Sequence, residues 1–315
     1  MPAMPTIITV SLNPAIDRVL EVEGFALGAH QAGREVRRTP GGKAVNVSRA
    51  LAALGVRSIA TGFLGEDNRG DFAPVLNDPH VIDQFFPLPG RTRENVTIAD
   101  PAAHQETHIR DAGLTVGPRD LARLRTKLHL VARDQTIVIF SGSLPPGVSA
   151  EQFADLVDAP LAAGAKVAVD TTGAALRAMA GKGLWLLKPN AAELAELVGR
   201  PLPSPSAQLA AAREVAAGAR IVLFTRGAEG AYLFAAGLAV HGSVRVAPEK
   251  VRNTVGCGDA MLAAFVAGVA RGEPPRSAFA GAVATASASA MTVAPAEFDI
   301  DVAAELRTRV ELSDL

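Results

Sequence analysis

Cysteine is all but absent: Cys257 is the only one in 315 residues, which excludes intrachain disulfides and cysteine-based zinc clusters. Neither sign of charge is in excess. The formal net charge of −1 gives no electrostatic case for nucleic acid or an anionic membrane as a partner. Long hydrophobic runs are missing too, since no apolar stretch reaches the roughly 18 residues that a membrane span requires. The opening Met1-Pro2-Ala3-Met4-Pro5 lacks the charged and apolar regions of a secretory signal. No Gly-x-Gly-x-x-Gly follows the first apolar run, which argues against a dinucleotide-dependent dehydrogenase. No internal repeat is visible. What is present is 49% hydrophobic and 20% charged residues, the balance of a compact chain. A soluble cytoplasmic protein is the expectation.

Short β-rich runs alternate with Ala/Leu-rich amphipathic stretches. The predicted strands are Thr6–Ser11, Ser58–Leu64, Thr136–Phe140, Lys166–Asp170, Leu184–Lys188 and Arg220–Thr225. Their nearly continuous apolar character suits strands buried on both faces of a parallel sheet. Lys43–Leu54 predicts a helix, with Val47, Ala50, Leu51 and Leu54 on one face. Repeated βα units predict an α/β fold, a doubly wound sheet whose ligands gather beyond the carboxyl ends of the strands. Two regions break the rhythm. Arg18–Glu23 and Arg34–Thr39 are short and polar-alternating, as are Asn95–Ala99 and Glu106–Arg110. The last two predict a hairpin turning over Asp100–Gln105. Together they suggest a small β lid, solvated on one face and covering a cleft with the other.

The strongest chemical signal is Asn253-Thr254-Val255-Gly256-Cys257-Gly258-Asp259, followed at once by an apolar helix pattern. Glycines around one small residue let successive backbone N–H groups turn towards a point at a helix N-terminus, where an anion is favoured. A carboxylate beside such a cradle makes sense if Asp259 takes a proton from a hydroxyl while the amides steady a phosphoryl group. An ordinary helix cap uses the same residue types. Gly41-Gly42-Lys43-Ala44-Val45-Asn46 is the second signal. Lys43 in a first helical turn opposes the helix dipole unless an anion neutralises both. This is not a Walker loop, because Arg37 and Ala44 replace the glycine and the hydroxyl it needs. Asp17, just past the first strand, suits sugar hydroxyls. Asn190 and Glu193 are either a capping box or a carbonyl and a carboxylate near water-coordinated Mg²⁺. In Thr225-Arg226-Gly227-Ala228-Glu229-Gly230, backbone and the Thr225 hydroxyl could meet phosphates, or simply form a turn.

These motifs, in this order, resemble the PfkB (ribokinase-like) family of carbohydrate kinases over nearly the whole chain. The resemblance implies one ribokinase-like kinase domain over residues 1–315, with lid strands from about 17–40 and 93–111. It implies Asp259 as catalytic base, and Gly256, Cys257 and Gly258 as the anion hole. Gly41, Gly42 and Asn46 match the family's N-terminal glycine motif. Lys188, Thr225, Gly227, Gly230 and Thr254 are implied to bind ATP, and Asn190 and Glu193 to hold its Mg²⁺ through water. A monovalent cation is left open.

The branch resembled is that of phosphosugar kinases, on Asn13–Asp17, Lys43, Ser141–Gly147 and Arg91–Val96. It implies a phosphorylated ketohexose as substrate, bound by Asp17, Gly41, Gly42, Lys43, Asn46, Arg93 and Ser141. Lys43 and Arg93 would hold the phosphate already present. The expected reaction converts fructose 1-phosphate to fructose 1,6-bisphosphate. The alternatives are tagatose 6-phosphate or fructose 6-phosphate, then a nucleoside or neutral-sugar kinase, then a non-catalytic nucleotide-binding regulator. Gln31-Ala32 stands where relatives often carry Asn-Arg, with Arg34 as a substitute. Cys257 stands where Ala is usual; its backbone N–H, not its side chain, is implied to do the work, and since a helix N-terminus lowers a thiol pKa, redox sensitivity is left open. Exposed lid edges suggest a homodimer.

Overall fold

The computed structural model describes residues 4–103 and 105–315. Met1–Ala3, at the chain start, and His104, in the expected hairpin turn, lie outside the described residues. In chain order the strands are β1 (Thr6–Ser11), β2 (Ala15–Glu21), β3 (Arg34–Gly41), β4 (Ser58–Gly65), β5 (Val81–Leu88), β6 (Glu94–Asp100) and β7 (Gln105–Arg110). They continue as β8 (Thr136–Ser141), β9 (Lys166–Asp170), β10 (Leu186–Leu187), β11 (Ile221–Thr225), β12 (Ala231–Ala235), β13 (Leu238–Ser243) and β14 (Glu311–Asp314).

Ten of these form one sheet in the order β14-β13-β12-β11-β10-β9-β8-β1-β4-β5. From β5 to β11 every pairing is parallel, while β12, β13 and β14 continue the sheet antiparallel. Side chains alternate across it with the period of two that strand geometry imposes. Ile8, Val10, Val138 and Phe140 pack on one face, under the helices Pro118–Val131 and Ala150–Ala162. Ile7, Ile137 and Ile139 pack on the other, with Val47 and Leu51 from the helix Lys43–Ala53. Leu262, Phe265 and Phe279 complete that layer from the helices Cys257–Ala270 and Pro275–Ala290. The doubly wound, mainly parallel sheet read from the sequence is therefore present. Among the described residues, no helix is long and apolar enough to cross a membrane.

The remaining four strands form a separate sheet, β3-β2-β6-β7. Its strands enter after β1 and after β5, so it hangs over the carboxyl ends of the parallel strands. β6 and β7 pair antiparallel, as the hairpin reading expects, and β7 is exposed along its whole length. Three features depart from the sequence reading. The expected strand Leu184–Lys188 shrinks to Leu186–Leu187, although Trp185 N and Lys188 N still donate to Val167 O and Val169 O. Pro189 follows and has no N–H to donate, so the strand is interrupted there, although its carbonyl still accepts from Thr225 N at 3.0 Å. β5 was not expected, because as an edge strand it exposes Ile82, Asp83 and Gln84 and shows no continuous apolar run. The antiparallel edge β12–β14 is likewise half-polar.

Candidate active site

Strand β1 has β4 on one side and β8 on the other, so the chain reverses its direction of growth between β1 and β8. Such a reversal opens a crevice at the carboxyl ends of the two strands. Asn13 bridges it, donating from Nδ2 to Ser143 Oγ (3.3 Å) and to the Leu144 carbonyl (3.2 Å). Ser141 ends β8 opposite Asp170 in register, and its hydroxyl is buried without a hydrogen-bond partner.

The helix Cys257–Ala270 begins from Gly256, whose φ of 82° is left-handed. A side chain there would meet the Ala296 nitrogen at 2.4 Å, so both conformation and space require glycine. The first intrahelical bond is Ala260 N–H to Gly256 O, which leaves the N–H groups from Cys257 to Asp259 ahead of it as anion donors. Asp259 is buried in that first turn. Its Oδ2 accepts from Asn46 Nδ2 at 2.8 Å, which brings the two glycine motifs together across 213 residues of chain. Burial, helped by the nearby charge of Asp170, pushes the Asp259 carboxyl up to about 7, against the Asn46 hydrogen bond and the ammonium groups of Lys43 and Lys188. A carboxyl poised near neutrality is what proton abstraction from an alcohol needs.

Two lysines converge beside it on Asp170, a fully buried carboxylate ending β9. Lys43 Nζ lies 2.9 Å from Asp170 Oδ1 and 3.3 Å from Glu193 Oε1. Lys188 Nζ lies 3.1 Å from Asp170 Oδ2, a charge contact without good hydrogen-bond alignment, since that oxygen has no hydrogen-bond partner. Burial opposes all of this charge. For Asp170 the two lysines outweigh burial and hold the carboxyl below its ordinary range. For Lys43, Asp170 and Glu193 outweigh it and hold the ammonium above the ordinary lysine value. Lys188 also presses on the anion hole: a Cβ on Gly258 would lie 3.1 Å from its Nζ. Two lysines paired on Asp170 thus lie near Asp259, and one of them, Lys188, lies against the N–H row.

On the lid side, Asp17 sits directly over the glycine pair, where a Cβ on Gly41 would come within 2.2 Å of its Oδ2. Asn95 Nδ2 donates to Asp17 Oδ1 at 2.8 Å, while Asn95 Oδ1 is buried without a partner. Gly42 caps the helix that carries Lys43 and Asn46. The guanidinium of Arg93 donates to the carbonyls of Asn13 (3.1 Å), Pro14 (3.3 Å) and Asp111 (3.1 Å). Those bonds occupy three of its five N–H groups and tie the loop after β1 to the lid. Arg34 is an exposed partner of Glu21 at 2.6 Å, and Gln31 closes its own loop onto Gly24 and Ala26.

Beyond β11, an open cleft of about 330 Å³ is lined by Asn190, Ala191, Gln208, Thr225 and Gly227. Gly230 directly precedes β12, and Thr254 is exposed two residues before Gly256. A larger apolar groove of about 560 Å³, around Phe86 and Leu130, contains none of these residues. Asn190 and Glu193 form the complete capping box: Glu193 N donates to Asn190 Oδ1 and Asn190 N to Glu193 Oε2, both at 2.9 Å. With Lys43 on Oε1, Glu193 keeps only spare lone pairs. That fits contact with Mg²⁺ through water, and not a primary ligand role. Among the described residues no group of three His, Cys, Asp or Glu is arranged to hold a metal. Burial is the largest influence on the Cys257 thiol and pushes it up to about 11, away from the reactive range.

Residues 7–298 match the pfkB family of carbohydrate kinases. The chain belongs to that family. It is 39% identical to the 1-phosphofructokinase of Rhodobacter capsulatus, over 82% of this chain and 82% of that protein. It is 35% identical to the 1-phosphofructokinase of Haemophilus influenzae, over 85% of this chain and 86% of that one. Among solved structures, phosphofructokinase-2 from Escherichia coli in complex with potassium superposes with a TM-score of 0.89 at 27% identity, covering 97% and 99% of the two chains. As a pfkB-family kinase the chain is a phosphotransferase acting on a hydroxyl, with its candidate base, cations and N–H cradle gathered under a β lid. The sequence reading missed Asp170 and Asn95. Asp170 alone carried a signal, as an acid closing the apolar run Lys166–Asp170 at the carboxyl edge of the sheet.

Proposed function

We propose that this kinase transfers the γ-phosphoryl group of Mg-ATP to a hydroxyl of fructose 1-phosphate, giving fructose 1,6-bisphosphate. One observation carries the reading: a buried carboxyl, Asp259, pushed up to about 7, adjoins two lysines ion-paired with Asp170. Asp259 accepts the hydroxyl proton as the new O–P bond forms, and the departing charge remains on ADP. The N–H groups of Cys257, Gly258 and Asp259, with Lys43 and Lys188, steady the transferring group. Asp17, oriented by Asn95, holds sugar hydroxyls beside Gly41, Gly42 and Ser141. The two remaining N–H groups of Arg93 take the phosphate already on the sugar, so Lys43 serves the moving phosphoryl group as much as the resting one. Thr225, Gly227, Gly230 and Thr254 hold the nucleotide, with Asn190 and Glu193 meeting its Mg²⁺ through water. Mg²⁺, when bound, supplies neutralisation of phosphate charge. Closure of the lid excludes water that would otherwise hydrolyse ATP.

The substrate assignment draws on the two 1-phosphofructokinase relatives. A second reading, fructose 6-phosphate as acceptor, draws on the structural likeness to phosphofructokinase-2. We also read the exposed lid edges, with Leu27, Val36 and Ile109 uncovered, as a homodimer contact that sedimentation would detect. The deciding assay is ADP release from Mg-ATP with fructose 1-phosphate, fructose 6-phosphate, tagatose 6-phosphate, fructose and ribose in parallel, with and without K⁺. Preference for fructose 1-phosphate is expected. Preference for a free sugar would refute the phosphosugar reading.

A further inference from the structure

Arg49 lies half-buried in the helix Lys43–Ala53. Its NH1 group donates to Asn46 Oδ1 at 3.2 Å and to the Pro295 carbonyl at 2.8 Å, and its NH2 group donates to the Pro40 carbonyl. Among the described residues it makes no ion pair with a carboxylate, although burial holds its pKa below the ordinary arginine value. Each acceptor belongs to a different part of the site. Pro40 leads into Gly41-Gly42. Pro295 leads into Ala296, which is buried at a left-handed φ of 55° and packs against Gly256, the cap of the anion-hole helix. Asn46 holds the base. The amide has one orientation consistent with both neighbours: a guanidinium cannot accept a hydrogen bond, so the Asn46 oxygen faces Arg49 and its NH₂ faces Asp259.

We propose that Arg49 is the positioning residue of this site, locking the Asn46 amide towards Asp259 and pinning the glycine pair and the Gly256 loop through Pro40 and Pro295. The inference rests on the reading of Asp259 as the base. Without Arg49, the Asn46 amide can turn its oxygen to the carboxylate, and Asp259 keeps its proton to higher pH. The groups facing Asp259 are Asn46, Lys43 and the Arg49 charge itself from the first helix, Asp170 ending β9, Lys188 after β10, and Cys257 on its own helix, so Arg49→Lys, which keeps the charge, isolates the amide effect. Glu297 and Asp17 face Arg49 itself.

The test compares Arg49→Met and Arg49→Lys with wild type by steady-state kinetics and by ¹³C NMR titration of Asp259, assigned with Asp259→Asn. In Arg49→Met, kcat should fall roughly 30- to 100-fold with both KM values within about threefold. The Asp259 titration should move up by about one pH unit or more. Arg49→Lys keeps the charge, but one ammonium cannot span an amide and two carbonyls, so both effects should persist in the same direction. It also serves if the Met variant does not fold. A wild-type titration in Arg49→Lys, or a fall in kcat with the titration unmoved, would overturn the proposal. The titration needs no turnover, so a wild-type protein inactive on every acceptor would sink the functional reading and leave this test standing.

Discussion

Asp259→Asn should make the protein inactive and more stable at once, and the stability gain should depend on pH. Burial and the Asp170 charge lift the Asp259 carboxyl from 3.8 to about 7. That gap corresponds to about 4 kcal/mol of folded-state penalty on the ionised form. The sign follows from linkage. Because the folded pKa lies above the unfolded one, the penalty is nil below pH ~4, grows as pH rises towards ~7 and is constant beyond. The asparagine variant never ionises, so it should exceed wild type by about 4 kcal/mol at pH 8 and by less than half of that at pH 5. At roughly 2 °C per kcal/mol for a large domain, the Tm difference should be about 8 °C at pH 8 and about 3 °C at pH 5. Thermal unfolding at the two pH values reads this directly. Turnover with Mg-ATP should drop by roughly three orders of magnitude or more, with ATP binding retained. Equal Tm differences at pH 5 and pH 8 would refute the burial argument, and turnover within tenfold of wild type would remove Asp259 from the base role.

Three further outcomes follow from the same geometry. Gly258→Ala places a methyl 3.1 Å from Lys188 Nζ, and because that lysine is held on Asp170 it must shift; kcat should fall about tenfold or more with little change in Tm, whereas kcat within twofold would detach Lys188 from the anion hole. Arg93→Met should raise the KM for the sugar phosphate about tenfold or more and lower Tm by releasing the Asn13, Pro14 and Asp111 carbonyls. An unchanged KM with lowered Tm would make Arg93 a clamp only. Cys257, with its thiol pushed up to about 11, should react with iodoacetamide at pH 8 at least about a hundredfold more slowly than free cysteine; rates near that of the free thiol would restore the redox reading.

What the sequence made legible was whatever is encoded by neighbours in the chain. The Gly256–Asp259 cradle and the Gly41–Asn46 turn are contiguous backbone devices, so their residue types announce them. The lid hairpin declared itself through alternation around Asp100–Gln105, and the central strands through unbroken apolar runs. Partner choice was hidden. Lys43 reaches Asp170 and Glu193 across 127 and 150 residues, and only the strand order brings those carboxylates to its side. Lys43 is therefore a paired cation in the folded chain, which its sequence neighbourhood does not reveal. Arg93 shows the same limit from the other side, since no local pattern reveals that three carbonyls occupy its guanidinium. Cys257 shows where a local rule fails: a helix N-terminus lowers a thiol pKa when water can reach it, but here burial is the larger effect. Asp259 stands in the same helical turn and obeys the same ordering, and for the proposed base that ordering is useful. The burial that quietens the thiol also holds the carboxyl near neutral pH, where it can take a proton. A substitution that admitted water to this turn should therefore acidify both groups together, making Cys257 more reactive and Asp259 a weaker base.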